Sequence, residues 1–177
     1  MVGHVIVAPK VHVPSAYDLD PVHLGNVRLL QTRIGARLLS RFGEAGAYEH
    51  GRSPLCRFHA ADRRHLHAHI HVLPLECELV SYAKLEPGDS AGDPLNTEPP
   101  CLRYLYQWMA STRTDRETLL PTAVPRHLVR SALEAELSRR RLPWIPLSAS
   151  RAEQDTAVDE TAELLRGFSP RETALQS

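Results

Sequence analysis

The sequence predicts an α+β fold: an antiparallel sheet with one long helix packed across its apolar face. Three observations predict it. Residues 65–72 alternate strictly between histidine and an apolar residue, the period of two that belongs to a half-buried strand. Residues 21–43 instead space their apolar side chains by three and four, the period of an amphipathic helix. A third run, Leu102 to Met109, is aromatic and reads as another strand.

Taken in order, the first strand is His4-Val5-Ile6-Val7-Ala8, apolar and β-branched, stopped by Pro9 ahead of Lys10 and the short run Val11-His12-Val13. Pro14, Ser15 and Asp18 make a loop. Asp20 is then expected as an N-cap with Pro21 at the first helical position, where its missing N–H does no harm. Leu24, Val27, Leu30, Ile34 and Leu38 form the buried stripe; Arg28, Arg33, Arg37 and Arg41 read as a solvated face, and Gly43 closes the helix. Ala47-Tyr48-Glu49 is a short strand, and residues 50–64 form a loop leading into the histidine strand. Beyond Pro74, a strand is expected over 78–85, followed by a Pro-, Gly- and Asp-rich loop over 86–100. The aromatic strand is expected to pair back onto it, or to cover an exposed edge. Helices are expected over about 125–141, on Leu128, Val129, Ala132, Leu133 and Leu137, and over about 156–166, with Val158, Ala162 and Leu165 inward and Gly167 as the stop. The final residues, 167–177, are expected to fray.

The run His65-Leu66-His67-Ala68-His69-Ile70-His71-Val72-Leu73-Pro74 is where chemistry concentrates. Its apolar face belongs to the core, and its other face is all imidazole. Same-face neighbours on a strand stand roughly 6.5 to 7 Å apart, close to the span of a phosphoryl group with its leaving oxygen. Clustered imidazoles disfavour one another's charged forms, so several are expected to be neutral near pH 7, each with one nitrogen free for a reaction or a metal. The loop before the strand brings His50, Arg63 and Arg64 within reach of the same site.

Bulk properties bound the function. A 177-residue chain with 42% hydrophobic residues and a formal net charge of +0 suits one domain with appendages and disfavours nucleic-acid binding by bulk electrostatics. No apolar run approaches the roughly 20 residues needed to span a bilayer. The start shows no signal-peptide pattern, and Cys56, Cys77 and Cys101 form no C-x-x-C pair, so a reducing cytoplasm is expected. Zinc binding by the same imidazoles is a rival reading, but no carboxylate or cysteine falls in a recognised ligand spacing.

His67-Ala68-His69-Ile70-His71-Val72-Leu73-Pro74 resembles the signature of the histidine-triad (HIT) family, three histidines alternating with apolar residues. Pro74 stands where the family commonly has proline, which makes His67, His69 and His71 the triad and His65 an extra. Gly3-His4-Val5-Ile6-Val7-Ala8-Pro9-Lys10 is similar to the family's Gly-His strand ending in Pro-Lys, and the Asp20-Pro21 helix lies between the two motifs as it does in HIT domains. Tyr48-Glu49-His50-Gly51 further resembles a bacterial HIT branch with a carboxy-terminal extension, whose aromatic strand, Arg-rich helix and Trp-containing segment look like Tyr104 to Tyr106, Arg126 to Arg130 and Pro143-Trp144.

The resemblance implies a nucleotide hydrolase or nucleotidyl transferase acting at an α-phosphate through a covalent nucleotidyl-histidine. It makes His69 the nucleophile, with His71 as proton donor or phosphate ligand and His67 orienting. Arg63, Arg64 and His50 are the candidate phosphate-binding residues, although Asp62-Arg63-Arg64 replaces the serine or glutamine many family members carry there. No cofactor and no metal is implied; the partners are a nucleotide-derived small molecule and a second copy in a homodimer. The expected organisation is a HIT-like core over 1–76, lacking the family's usual first hairpin, and an extension over 77–166 packed on it. A degenerate HIT-like protein that binds nucleotides without turnover is the alternative.

Overall fold

A computed structural model describes residues 1–52, 67–79, 104–119, 128–142 and 150–167. Among them the chain is α+β. Five antiparallel strands, β1 (Val5–Val7), β2 (Gly46–Gly51), β3 (Ile70–Leu73), β4 (Tyr104–Met109) and β5 (Thr114–Leu119), form one sheet in the order β1-β3-β2-β4-β5. Three α-helices accompany them: α1 (Pro21–Phe42), α2 (Leu128–Arg139) and α3 (Arg151–Leu164).

The long helix starts and stops where its chemistry dictates. The Asp20 carboxylate accepts from the backbone N–H groups of Val22 and His23, each at 3.1 Å, satisfying donors that a helix start leaves without partners. At the other end Gly43 adopts φ +85°, the left-handed conformation of a helix C-cap, and its N–H returns to Leu39 O at 2.8 Å. Ile34 and Leu38 bury against Val7, Ala45, Ala47, Ile70 and Val72 on one face of the sheet. Leu24, Val27 and Leu30 pack at the margin of that core.

A second core fills the opposite face. Tyr48, Leu73, Leu75 and Leu105 pack there against Val129, Ala132, Leu133 and Leu137 of α2. Two hydrogen bonds through one hydroxyl tie this layer down: Tyr48 donates to Leu75 O at 2.9 Å and accepts from Cys77 N–H at 2.7 Å. The Arg140 guanidinium, just past α2, grips the Glu44 carboxylate at 2.8 Å and donates to Glu76 O at 2.6 Å. The sheet is thus the middle of three layers, and it continues through β4 and β5 beyond the expected boundary at residue 76.

Several expectations are corrected. Of the strand expected over 78–85, Glu78 belongs to no strand and Leu79 is helical rather than extended; residues 80–85 lie outside the described residues. The aromatic strand pairs with β2 and β5 instead, which places it inside the sheet and not at an edge. β5 was not expected, because Thr114-Asp115-Arg116-Glu117-Thr118 has no apolar alternation; its polarity suits the edge it occupies. Arg28 does not simply face water: its guanidinium lies 3.6 Å from the ring centroid of Tyr106, a cation–π contact worth about 0.5–2 kcal/mol. Arg37 caps the end of α3, donating to Leu164 O at 2.6 Å. α3 itself begins five residues earlier than expected, at a Ser150/Glu153 capping box, and Val158 and Ala162 are exposed rather than inward.

Gly35 offers a sharp test of the α1–sheet packing. A Cβ there would lie 2.4 Å from Cζ3 of Trp108, a ring already set between helix and strand. In an open helix Gly→Ala stabilises by about 1 kcal/mol. Here Gly35→Ala should instead lower the urea unfolding midpoint, by roughly 1–3 kcal/mol of overpacking; a raised midpoint would show that the helix does not pack this closely.

Candidate active site

The pleat of β3 sorts its residues. Ile70 and Val72 turn into the α1 core, so His71 points to the opposite face, where Tyr48 of β2 and Ile6 of β1 stand across from it. His50, two residues beyond Tyr48 on β2, shares that face. His67, His69 and His71 therefore come together as a row, and His50 joins their side of the sheet. Arg63, Arg64 and His65 lie outside the described residues.

Each imidazole in the row has a defined partner. His69 Nδ1 donates to the backbone carbonyl of His67 at 3.1 Å. A carbonyl accepts and never donates, so Nδ1 carries the proton and the neutral ring keeps its lone pair on Nε2. By the same logic His67 is protonated on Nε2, which donates to Pro9 O at 2.9 Å. That contact exists because residues 9–14 run beside the start of the row; Ala68 N–H bonds Val13 O at 2.7 Å, and the His12 ring sits 5.1 Å from that of His67. The rings of His69 and His71 meet edge to face at 4.9 Å between centroids.

His4 completes the row. Its Nε2 lies 2.9 Å from His71 Nδ1, one of the two nitrogens donating to the other. Sequence reasoning places His4 in the Gly-His strand without making it a site residue; the signal is a histidine just before the apolar stretch of β1, the strand that pairs with β3. His12, against His67, was passed over in the same way.

No family model matches the chain, and no curated protein matches it.

What the row can do follows from its electrostatics. Burial depresses the His71 pKa to about 3, assisted by His69 and His4, which resist a further positive charge beside them. Burial also takes His4 down to about 4, with the amino-terminal charge adding to the effect. His69 is lowered too, first by burial, with its bond to the His67 carbonyl working against the shift. His4, His69 and His71 are thus all pushed toward the neutral form, and with Nδ1 protonated the His69 ring keeps a lone pair on Nε2, the atom through which an imidazole acts as a nucleophile. Among the described residues no group of three or more His, Cys, Asp or Glu side chains is arranged to hold a metal ion. Also among them, no helix is long and apolar enough to cross a membrane.

Supporting the row from behind is a carboxylate. Glu49 is buried on β2, where Oε1 accepts from Ala16 N–H at 2.8 Å and Oε2 from the Tyr104 hydroxyl at 2.7 Å. It ties the loop that carries Pro9 and His12 to the sheet. Burial raises its pKa, while those two donors oppose the rise.

The depressed histidines give stability a defined pH dependence. An unfolded histidine binds a proton near pH 6.5, whereas folded His71 and His4 do so only near 3 and 4. Between those limits the unfolded state holds more protons, so stability should be full above about pH 6.5 and fall as pH drops. Glu117, raised to about 7 by burial, acts in the opposite sense. Subtracting the urea stability of His71→Asn from that of the native chain cancels it. The difference should grow from pH 4 to 6.5 and be level above; a flat difference throughout would mean that His71 is not depressed.

Proposed function

We propose that the chain is a histidine-triad enzyme, a nucleotide hydrolase or nucleotidyl transferase that works at the α-phosphate of a nucleotide derivative. The observation that carries this reading is the single hydrogen bond from His69 Nδ1 to the His67 carbonyl, with burial pushing both His69 and His71 toward the neutral form. It leaves Nε2 as a fixed, unprotonated nucleophile with a second imidazole at 4.9 Å ring separation beside it. Together with the two motifs read from the sequence, that is the arrangement nucleotidyl transfer through histidine requires.

The lone pair on His69 Nε2 forms a bond to the α-phosphorus as the bond to the leaving group breaks. The proton for the leaving group comes from His71 Nε2. His4 Nε2–H then returns one to His71 Nδ1 along their hydrogen bond, and solvent makes good the loss at His4 Nδ1. In the second step a water, or another hydroxyl acceptor, attacks phosphorus from the side opposite His69, its bond forming as the P–Nε2 bond breaks and restores the His69 lone pair; its proton passes to His71 Nε2, His71 Nδ1–H returns to His4 Nε2, and His4 Nδ1 releases a proton to solvent. Splitting one displacement into two in this way lowers each barrier, and holding the phosphate between fixed donors does most of the rest.

Incubation with an adenosine phosphoramidate, rapid acid-free quenching and mass spectrometry should find an adenylyl group on His69. His69→Ala should lose both adduct and turnover while keeping its unfolding midpoint, because Ala68 and Ile70, not His69, pack the core. His71→Ala should cost about 10²-fold with a poor leaving group and much less with a good one. His4→Ala should follow the same pattern, since it acts through His71. An adduct on His67, or none with intact turnover, would contradict the assignment.

A further inference from the structure

We propose that Arg52 is a positioning residue for the nucleophile: it clamps the loop over residues 14–18, and through the Val13 carbonyl that clamp fixes the peptide group from which the His69 imidazole takes its direction. The inference rests on the reading of His69 as nucleophile and names a residue outside the row that holds it.

Arg52 follows the last residue of β2 and grips the loop before α1 at two points. Its backbone N–H donates to Pro14 O at 3.1 Å. Its guanidinium donates to the Asp18 carboxylate, from Nη2 at 2.8 Å and from Nε at 3.4 Å. One turn of 3₁₀ helix, Ala16–Asp18, lies between these points, and Glu49 holds the Ala16 N–H within it. The end of β2 thus secures Pro14, Ala16 and Asp18, every second residue of the loop. The pair is well shielded, with the Arg52 side chain 10% exposed, and a planar fork on a carboxylate constrains direction as well as distance. Arg52 makes these contacts at φ +56°, a left-handed conformation that glycine takes freely and a residue with a Cβ does not. A side chain here is strained unless its own contact offsets the cost.

The grip on Pro14 reaches Val13 with little slack. The peptide between them is planar and the proline ring fixes φ at about −65°, so ψ of Pro14 is the single soft torsion separating the two carbonyls. Val13 O accepts from Ala68 N–H at 2.7 Å. That N–H and the His67 carbonyl are opposite ends of one planar peptide group. The carbonyl accepts from His69 Nδ1 at 3.1 Å. Holding the peptide by its N–H therefore sets the direction of the acceptor that orients His69. A peptide that donates at one end is also a stronger acceptor at the other. Arg52 acts in this way on the Nε2 lone pair without touching the ring.

The test uses the full chain, ¹⁵N-labelled, with the adenosine 5′-phosphoramidate of ammonia as substrate. Arg52→Gly removes the guanidinium but keeps the backbone N–H and its conformation; Asp18→Asn removes the partner charge at an exposed position. In both, hydrogen exchange of the Ala68 amide should quicken about 10-fold or more, while that of Val72, in the core of β3, stays native. The His69 Nδ1–H resonance should broaden by exchange with water. The kcat should fall roughly 10- to 50-fold with KM changed about 2-fold or less. Exchanging the pair, Arg52→Asp with Asp18→Arg, should return kcat to within about 5-fold of the native value. A merely structural role would quicken Val72 together with Ala68 and leave kcat per folded molecule unchanged, which overturns the proposal. Native Ala68 exchange in both variants overturns it as well, and so does a quickened Ala68 amide with native kcat. If the native chain turns over no phosphoramidate, the reaction is what fails, and Ala68 exchange with the His69 Nδ1–H resonance still decides whether Arg52 positions the ring. Should Arg52→Gly not fold, Asp18→Asn decides alone.

Discussion

Everything distinctive in this molecule depends on the pleat of one strand. Because successive side chains leave β3 on opposite faces, Ile70 and Val72 enter the core beneath α1, and the histidines between them turn to the other face. The apolar half fixes the register. A slip of one residue would drive imidazoles into the α1 core and expose the aliphatic side chains, so the core itself holds the row in place. The same strand pairs with β1 on one side and β2 on the other, which brings His4 and His50 to the imidazole face from both neighbours.

Burial and hydrogen bonding then divide the work within the row. Desolvation removes charge from His71 and His4, and backbone carbonyls decide which nitrogen of His67 and His69 carries the proton. Neither effect alone would leave a lone pair on His69 Nε2. A neutral ring in the other tautomer would carry an N–H at that atom, and a correctly held but charged ring would have no lone pair there. The Glu49 carboxylate, two residues from Ala47 in the α1 core, links this chemistry to the fold by anchoring the loop that presents Pro9 O.

The legibility of these features in the sequence tracks how local their causes are. The α1 boundaries were readable because Asp20, Pro21 and Gly43 act within one helical turn. The histidine row was readable because alternation is a property of a single strand. β5 was not, since an edge strand with a polar face carries no periodic signal, and its place is set by pairing with β4. Arg28 looked solvated for a similar reason: Tyr106, the ring it stacks on, is far away in sequence and arrives only when β4 docks beside β2. The inward face of α3 differs from the expected stripe because the helix is held through Thr161, the Leu164 carbonyl and the Leu164 side chain at the margin of the α1 core, and not through Val158 and Ala162. His4 and His12 fell between: both were visible as residues, but only the folding of β1 and its loop against β3 reveals which imidazole each one meets.

¹⁵N NMR of histidine-labelled protein at pH 7 tests the fixed tautomer of the row most directly. The expected result is a protonated Nδ1 and a lone-pair-bearing Nε2 for His69, a protonated Nε2 for His67, and no imidazolium signal from His4, His69 or His71. A His69 ring that is protonated on Nε2, or on both nitrogens, would contradict it.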